Sequence, residues 1–85
     1  MQTYYLTIDL AETTGSLHEK LKRLFSFPAY YGANLDALND CLSERKKKCR
    51  LWIRGAKTAP EDIQSLLDGV ETVFTANGNT VLRLD

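Results

Sequence analysis

Ile63, Leu66, Leu67, Val70, Val73 and Phe74 recur at the spacing of one helix face, and this amphipathic segment lies between two short apolar stretches, Arg50–Arg54 and Val81–Leu84. A strand, a helix and a strand in that order cannot close as a hairpin. The helix carries the chain back along the sheet, so the two strands run parallel and the crossover takes the right-handed sense. Thr58 as a hydroxyl cap, Pro60 in the first turn, and Glu61 and Asp62 beside the positive helix end mark its start. Gly69 in its interior gives up about 1 kcal/mol of helix propensity relative to alanine, which points to a close packing contact. Asn77 and Gly78 suit a left-handed turn at its end.

The first half repeats the theme. Tyr4, Leu6, Ile8 and Leu10 alternate with Tyr5, Thr7 and Asp9, the period of a strand with one face buried. Ser16 followed by Glu19 has capping-box spacing, so a helix is predicted to open there, with Leu17, Leu21, Leu24 and Phe25 as its buried face. Pro28 is expected to end it, because the residue before a proline is driven from the helical region. The segment FPAYYGAN, Phe27–Asn34, is then a shaped aromatic loop. Asn34 is a good N-cap for a second helix running to about Glu44, with Leu35, Leu38 and Leu42 inward. Arg45, Lys46, Lys47 and Lys48 follow at its negative end. The expected class is α/β: one domain over residues 1–85, with a three-stranded parallel sheet packed against about three to four helices.

Composition narrows the function. Eleven Lys and Arg balance eleven Asp and Glu, so partner choice must rest on local rather than global charge. No apolar run exceeds three residues, far short of the roughly 20 that span a bilayer. The N-terminal segment lacks the basic start and apolar block of a secretion signal, so the expected compartment is the cytoplasm. Cys41 and Cys49, with one histidine in the chain, match no four-ligand zinc spacing and are expected as reduced thiols. No metal or cofactor is expected. His18 is expected on the helix surface, Cys41 in the core and Cys49 at a strand edge.

The segment Tyr30–Leu42, YYGANLDALNDCL, carries the most information. Asp36 and Asp40 are four residues apart on a helix face that is not the leucine face, so two carboxylates point outward together. Like charges at that spacing cost roughly 0.2 to 0.5 kcal/mol. The pair is either two solvated residues, Asp36 favoured by the helix start, or an anion site presented to a partner. An exposed helix face supplies neither the cleft nor the split environments that paired carboxylates need for acid/base catalysis. The basic run Arg45–Arg50 could meet phosphates, but with zero net charge and no nucleic-acid module it reads as a solvated helix end.

With LHEKLKRL before it and a strand, a helix and a strand after it, the run FPAYYGANLDALNDCL resembles the barstar family of intracellular ribonuclease inhibitors. The resemblance covers nearly the whole chain. It implies the same parallel sheet, and a non-enzymatic protein whose second helix and preceding loop plug the active site of a small secreted ribonuclease of the barnase type. On that resemblance Asp40 occupies the phosphate site and Asp36 pairs another cation. Tyr30 packs on a catalytic imidazole, Gly32 permits close backbone approach, and Asn34 and Leu35 shape the start of the helix. Tyr31, Asn39 and Ser43 complete the partner-binding set, Ser43 in place of the family's usual threonine. Asn39 stands where the family's namesake has a tryptophan, and Ala33 replaces an acidic residue. Lysines 46–48 replace an aromatic-containing loop, and no acidic contact from the last helix has a counterpart near Thr75–Asn77. A monomer when free is expected, with no direct nucleic-acid contact, since the acidic helix motif disfavours a nucleic-acid module built on Arg45–Arg50. The alternative function is an interaction domain of the same family with a partner that is not a ribonuclease.

Overall fold

The computed structural model describes residues 1–84 and contains β1 (Gln2–Thr7), α1 (Thr14–Phe25), α2 (Leu35–Ser43), β2 (Cys49–Arg54), α3 (Glu61–Ala76) and β3 (Thr80–Arg83), with a short 3-10 helix at Ala56–Thr58. The strands form one parallel sheet in the order β1-β2-β3, so the expected α/β architecture is present. β1 runs from Gln2↔Cys49 to Thr7↔Arg54 against β2, and β2 from Arg50↔Thr80 to Ile53↔Arg83 against β3. Both crossovers proceed in the same direction across the sheet, and with one hand that places all the helices on one face. Leu6, Leu51 and Ile53 point from that face into a core completed by Leu17, Leu21, Leu38, Leu42, Ile63, Leu67, Val70 and Phe74. Burial of each such leucine or phenylalanine is worth about 1.5 to 3 kcal/mol.

Several element ends differ from expectation for identifiable reasons. The capping box of α1 is Thr13 with Ser16, not Ser16 with Glu19: Thr13 Oγ1 accepts from the Ser16 N–H at 3.0 Å, and Ser16 Oγ accepts from the Thr13 N–H at 2.9 Å. Glu19 pairs instead with Arg23 at 3.6 Å. Helix α1 stops before Pro28 can act, because Ser26 adopts φ 54° and the Phe27 N–H reaches back to the Lys22 carbonyl at 2.9 Å, a Schellman ending. Leu10 is exposed, since β1 has ended by then, while Ile8 stays buried. Thr58 belongs to the 3-10 turn, and Pro60 takes the cap position of α3, its carbonyl accepting from the Gln64 N–H at 2.9 Å. Gly55, at φ 82°, is required where β2 turns away, because a Cβ there would lie 2.5 Å from the Ile8 carbonyl oxygen.

The basic segment after α2 does not serve that helix's own end. The Arg45 guanidinium lies over the Phe25 and Tyr4 rings at 5.2 and 5.8 Å, and Lys48 donates to the Asn77 carbonyl at the end of α3. Cys49 is buried on the central strand rather than at an edge. Asn79, also buried, accepts from the Cys49 N–H at 3.0 Å and donates to the Phe74 carbonyl at 3.2 Å, tying the start of β2 to the end of α3.

The close contact expected at Gly69 is with Leu35, the first residue of α2: a Cβ at Gly69 would lie 2.5 Å from Leu35 Cδ1. Gly69→Ala should therefore fail to realise its propensity gain, leaving the urea midpoint unchanged or lowered. In a Leu35→Ala background the same change should stabilise by about 1 kcal/mol. Equal effects in the two backgrounds would show that α2 does not rest on Gly69.

Candidate partner-binding site

Asn34 sets the start of α2. Its backbone is extended, and its side-chain Oδ1 accepts from the Ala37 N–H at 2.7 Å, the cap that the sequence predicts. Leu38 and Leu42 then face the core, so Asp36, Asn39, Asp40 and Ser43 face solvent. Neither aspartate side chain has a hydrogen bond or ion pair among the described residues. Ser43 Oγ donates to the Asp40 carbonyl at 2.8 Å, and Asn39 Oδ1 accepts from Asn77 on the neighbouring α3 end at 2.9 Å. Leu35 is half-buried against Gly69.

The loop before α2 folds against it around a recess of about 340 Å3. Its walls include Tyr30, Tyr31, Gly32 and Asp40 from the sequence-derived set. Pro28, Ala37, Cys41 and Glu44 complete them. Tyr30 is 86% exposed. Gly32 sits close against the helix, since a Cβ there would lie 3.4 Å from the Ala37 Cβ and 3.3 Å from Asn34 Nδ2. Ala33 holds φ 52°, a left-handed conformation that costs a non-glycine residue on the order of 1 kcal/mol. Glu44 is the residue that sequence reasoning missed. It follows Asp40 by the same four-residue step that separates Asp40 from Asp36, and that spacing is the signal that could have found it.

Tyr31 points inward. Its hydroxyl shares a 2.8 Å hydrogen bond with His18 Nδ1, and its ring packs on Phe27 with centroids 5.0 Å apart. His18 is thus a buried residue of α1 and not a surface one: it stands three and seven residues before Leu21 and Phe25, on the edge of the buried face. Burial holds the imidazole below its ordinary pKa, and burial with the nearby Cys41 pushes the Tyr31 phenol up to about 12. Cys41 is half-buried, packed against the core where it borders the recess; burial, then Glu44 and Asp40, push its thiol up. The thiol stays protonated at neutral pH and is a poor nucleophile. The recess therefore offers carboxylate acceptors beside neutral walls, suited to receiving a cation.

No group of three or more His, Cys, Asp or Glu side chains is placed to hold a metal ion among the described residues, and no helix there is long and apolar enough to cross a membrane. The sequence profile of the family described as Barstar (barnase inhibitor) matches residues 1–81. A Bacillus subtilis (strain 168) protein named "Putative ribonuclease inhibitor YrdF" is 63% identical over 27 residues, a match covering 32% of this chain and 30% of that protein.

Two outcomes follow from the geometry. Asp36 lies in the first turn of α2, where a negative charge is favoured, whereas Asp40 lies beyond it. Asp40→Ala should raise stability by about 0.5 to 1 kcal/mol in urea unfolding, through helix propensity and relief of repulsion, and Asp36→Ala should not. A destabilised Asp40→Ala would reveal an intramolecular role for that carboxylate.

Acid should destabilise the fold in two stages. His18 has a folded pKa below its unfolded value near 6.5, so the unfolded chain binds the proton first, and stability is lost as pH falls below about 6.5. Burial alone would raise the Glu12 pKa, but hydrogen bonds from Lys20, Ser16 and the Asp9 N–H outweigh it and hold the carboxyl below 4.5. Its contribution is complete above that value and is lost as pH falls through the depressed one. Urea midpoints from pH 7 to 5 should fall in the wild type and stay flatter in His18→Gln. Parallel slopes would remove His18 from the account.

Proposed function

This chain belongs to the barstar family, and we propose that it inhibits a small secreted ribonuclease of the barnase type by filling the active site with α2 and the Phe27–Asn34 loop. The observation that carries this is Asp40: an exposed carboxylate at the rim of a recess, on a helix position that propensity and like-charge spacing disfavour, with no partner for its side chain among the described residues. A ribonuclease active site collects cations to hold phosphate. A carboxylate can replace that phosphate because charge-assisted bonds from arginine to carboxylate have the same planar, two-point geometry. Asp40 takes the phosphate position, Asp36 and Glu44 pair cations on either side along the helix, and Tyr30 packs on a catalytic imidazole. Tyr31, the next residue, is held inward by its bond to His18. Inhibition arises by occlusion and no bond is made or broken.

The same three carboxylates steer encounter, since exposed charges act over about 8 Å at physiological ionic strength. Titrating a panel of small basic ribonucleases should give stoichiometric loss of activity with at least one member, and the association rate should fall steeply with salt. Asp40→Ala should weaken that complex about a hundredfold, the value of one bidentate charged pair. Replacing Lys46, Lys47 and Lys48 by glutamine should leave it within a few-fold. No inhibition across the panel would transfer the acidic face to a cationic partner of another kind, and a salt-independent rate would give guidance to Tyr30 and Leu35 rather than to the carboxylates.

A further inference from the structure

We propose that the face of the sheet opposite the helices is a platform for single-stranded RNA. Because all the helices lie on one side, that face is bare, and the register lines up Tyr5, Trp52 and Leu82 across its three strands. Tyr5 and Leu82 are 49% and 48% exposed, and the Tyr5 and Trp52 rings meet edge-to-face with centroids 5.6 Å apart. Arg50 and Arg54 stand two residues either side of Trp52 on the same strand face, each about 6.6 Å along it. Thr3, Thr7 and Thr80 occupy the neighbouring positions, so no carboxylate from the three strands shares this face.

Charge selects the occupant. Arg23 and Arg83 reach carboxylates at 3.6 and 2.7 Å, but Arg50 and Arg54 pair with none among the described residues. The Arg54 guanidinium lies 5.4 Å from the Tyr5 ring centroid, and Arg50 is held across the face by bonds to Thr3 Oγ1 at 2.9 Å and the Met1 carbonyl at 3.0 Å. Met1 in turn borders a cleft of about 540 Å3 whose other walls include Arg45, Lys47 and Lys48. A short cationic band of Arg54 and Arg50, paired with no carboxylate among the described residues, thus brackets the row of Tyr5, Trp52 and Leu82. Backbone phosphates satisfy the band, and unstacked bases satisfy the row, the combination by which single strands are held. The threonine hydroxyls offer partners to ribose 2′-hydroxyls, which favours RNA over DNA. The basic run Arg45–Arg50 reads as a solvated helix end in the sequence; the position of Arg50 beside Trp52 changes that assignment for Arg50. The platform lies across the sheet from the Asp36–Asp40–Glu44 face and does not depend on ribonuclease inhibition.

Trp52 is the chain's one tryptophan, so its fluorescence reports directly on this face. Titration of the full chain with an oligouridylate dodecamer at low salt should quench Trp52 saturably, and affinity should fall as salt rises. Arg50→Gln with Arg54→Gln should weaken binding about tenfold or more and reduce the logarithmic salt slope by about 1.4, at 0.7 per lost contact to a single strand. Tyr5→Ala should weaken it with the slope unchanged. Asp40→Ala should leave RNA binding intact, and the paired arginine variant should leave ribonuclease titrations intact, so each proposal can fail alone. Absence of quenching would overturn the assignment, as would an arginine variant that binds like wild type. Equal affinity for oligothymidylate would replace RNA with any single strand, and equal quenching by polyglutamate would replace it with an acidic polypeptide. Sedimentation showing a dimer that buries Trp52 and resists oligonucleotide would assign the face to a second copy of the chain.

Discussion

The contact between Leu35 and Gly69 fixes how α2 lies on the helix layer. Without a side chain at position 69 the start of α2 settles against α3, and Leu38 and Leu42 follow it into the core one and two turns on. The direction of the opposite face is then determined. Asp36, Asp40 and Glu44 point to solvent because Leu35, Leu38 and Leu42 cannot. The recess forms where the Pro28–Gly32 segment meets this fixed helix, with Gly32 close to Ala37 and Tyr31 anchored on His18. A glycine that weakens α3 locally thus sets the orientation of a charge row on another helix. The apparent conflict between local propensity and global fold at Gly69 is resolved by that packing.

Much of this is legible in the sequence wherever one interaction dominates. The parallel order follows from apolar runs separated by a helix-period segment, and Asn34 as a cap follows from a short polar acceptor just before the leucine pattern. The start of α1 is not legible in the same way: Thr13 and Ser16 are both competent caps, and the choice between them depends on Glu12. That carboxyl is buried where β1 ends and takes hydrogen bonds from Ser16, Lys20 and the Asp9 N–H. Asn79 is illegible for a related reason. Its two bonds join residues 30 and 5 positions away, and no local pattern marks an asparagine after a turn glycine as a buried connector.

The candidate site divides along the same line. The outward carboxylate pair is legible because helix periodicity alone separates it from the leucines. The recess is not, because it requires the loop to pack back on α2, which depends on His18 reaching Tyr31 thirteen residues later. The bare sheet face needs still more: Tyr5, Trp52 and Leu82 become neighbours only through a register spanning three strands. Each is an unremarked residue in its own segment.

The loop carrying Tyr30 is pinned at both ends and in its middle. Ser26 and Ala33 hold left-handed conformations near its two ends, the Phe27 N–H bonds back to α1, the Tyr31 N–H bonds to the Pro28 carbonyl at 3.0 Å, and Asn34 bonds to the Gly32 carbonyl at 3.2 Å. A surface built this way enters a complex with its ordering entropy already spent during folding, so little affinity is lost to immobilisation on contact. Rigidity also narrows choice. Under the proposed function, a mobile loop could mould itself to many cationic clefts, whereas this one must find a cleft of matching contour, and shape discriminates among partners that charge alone would attract equally.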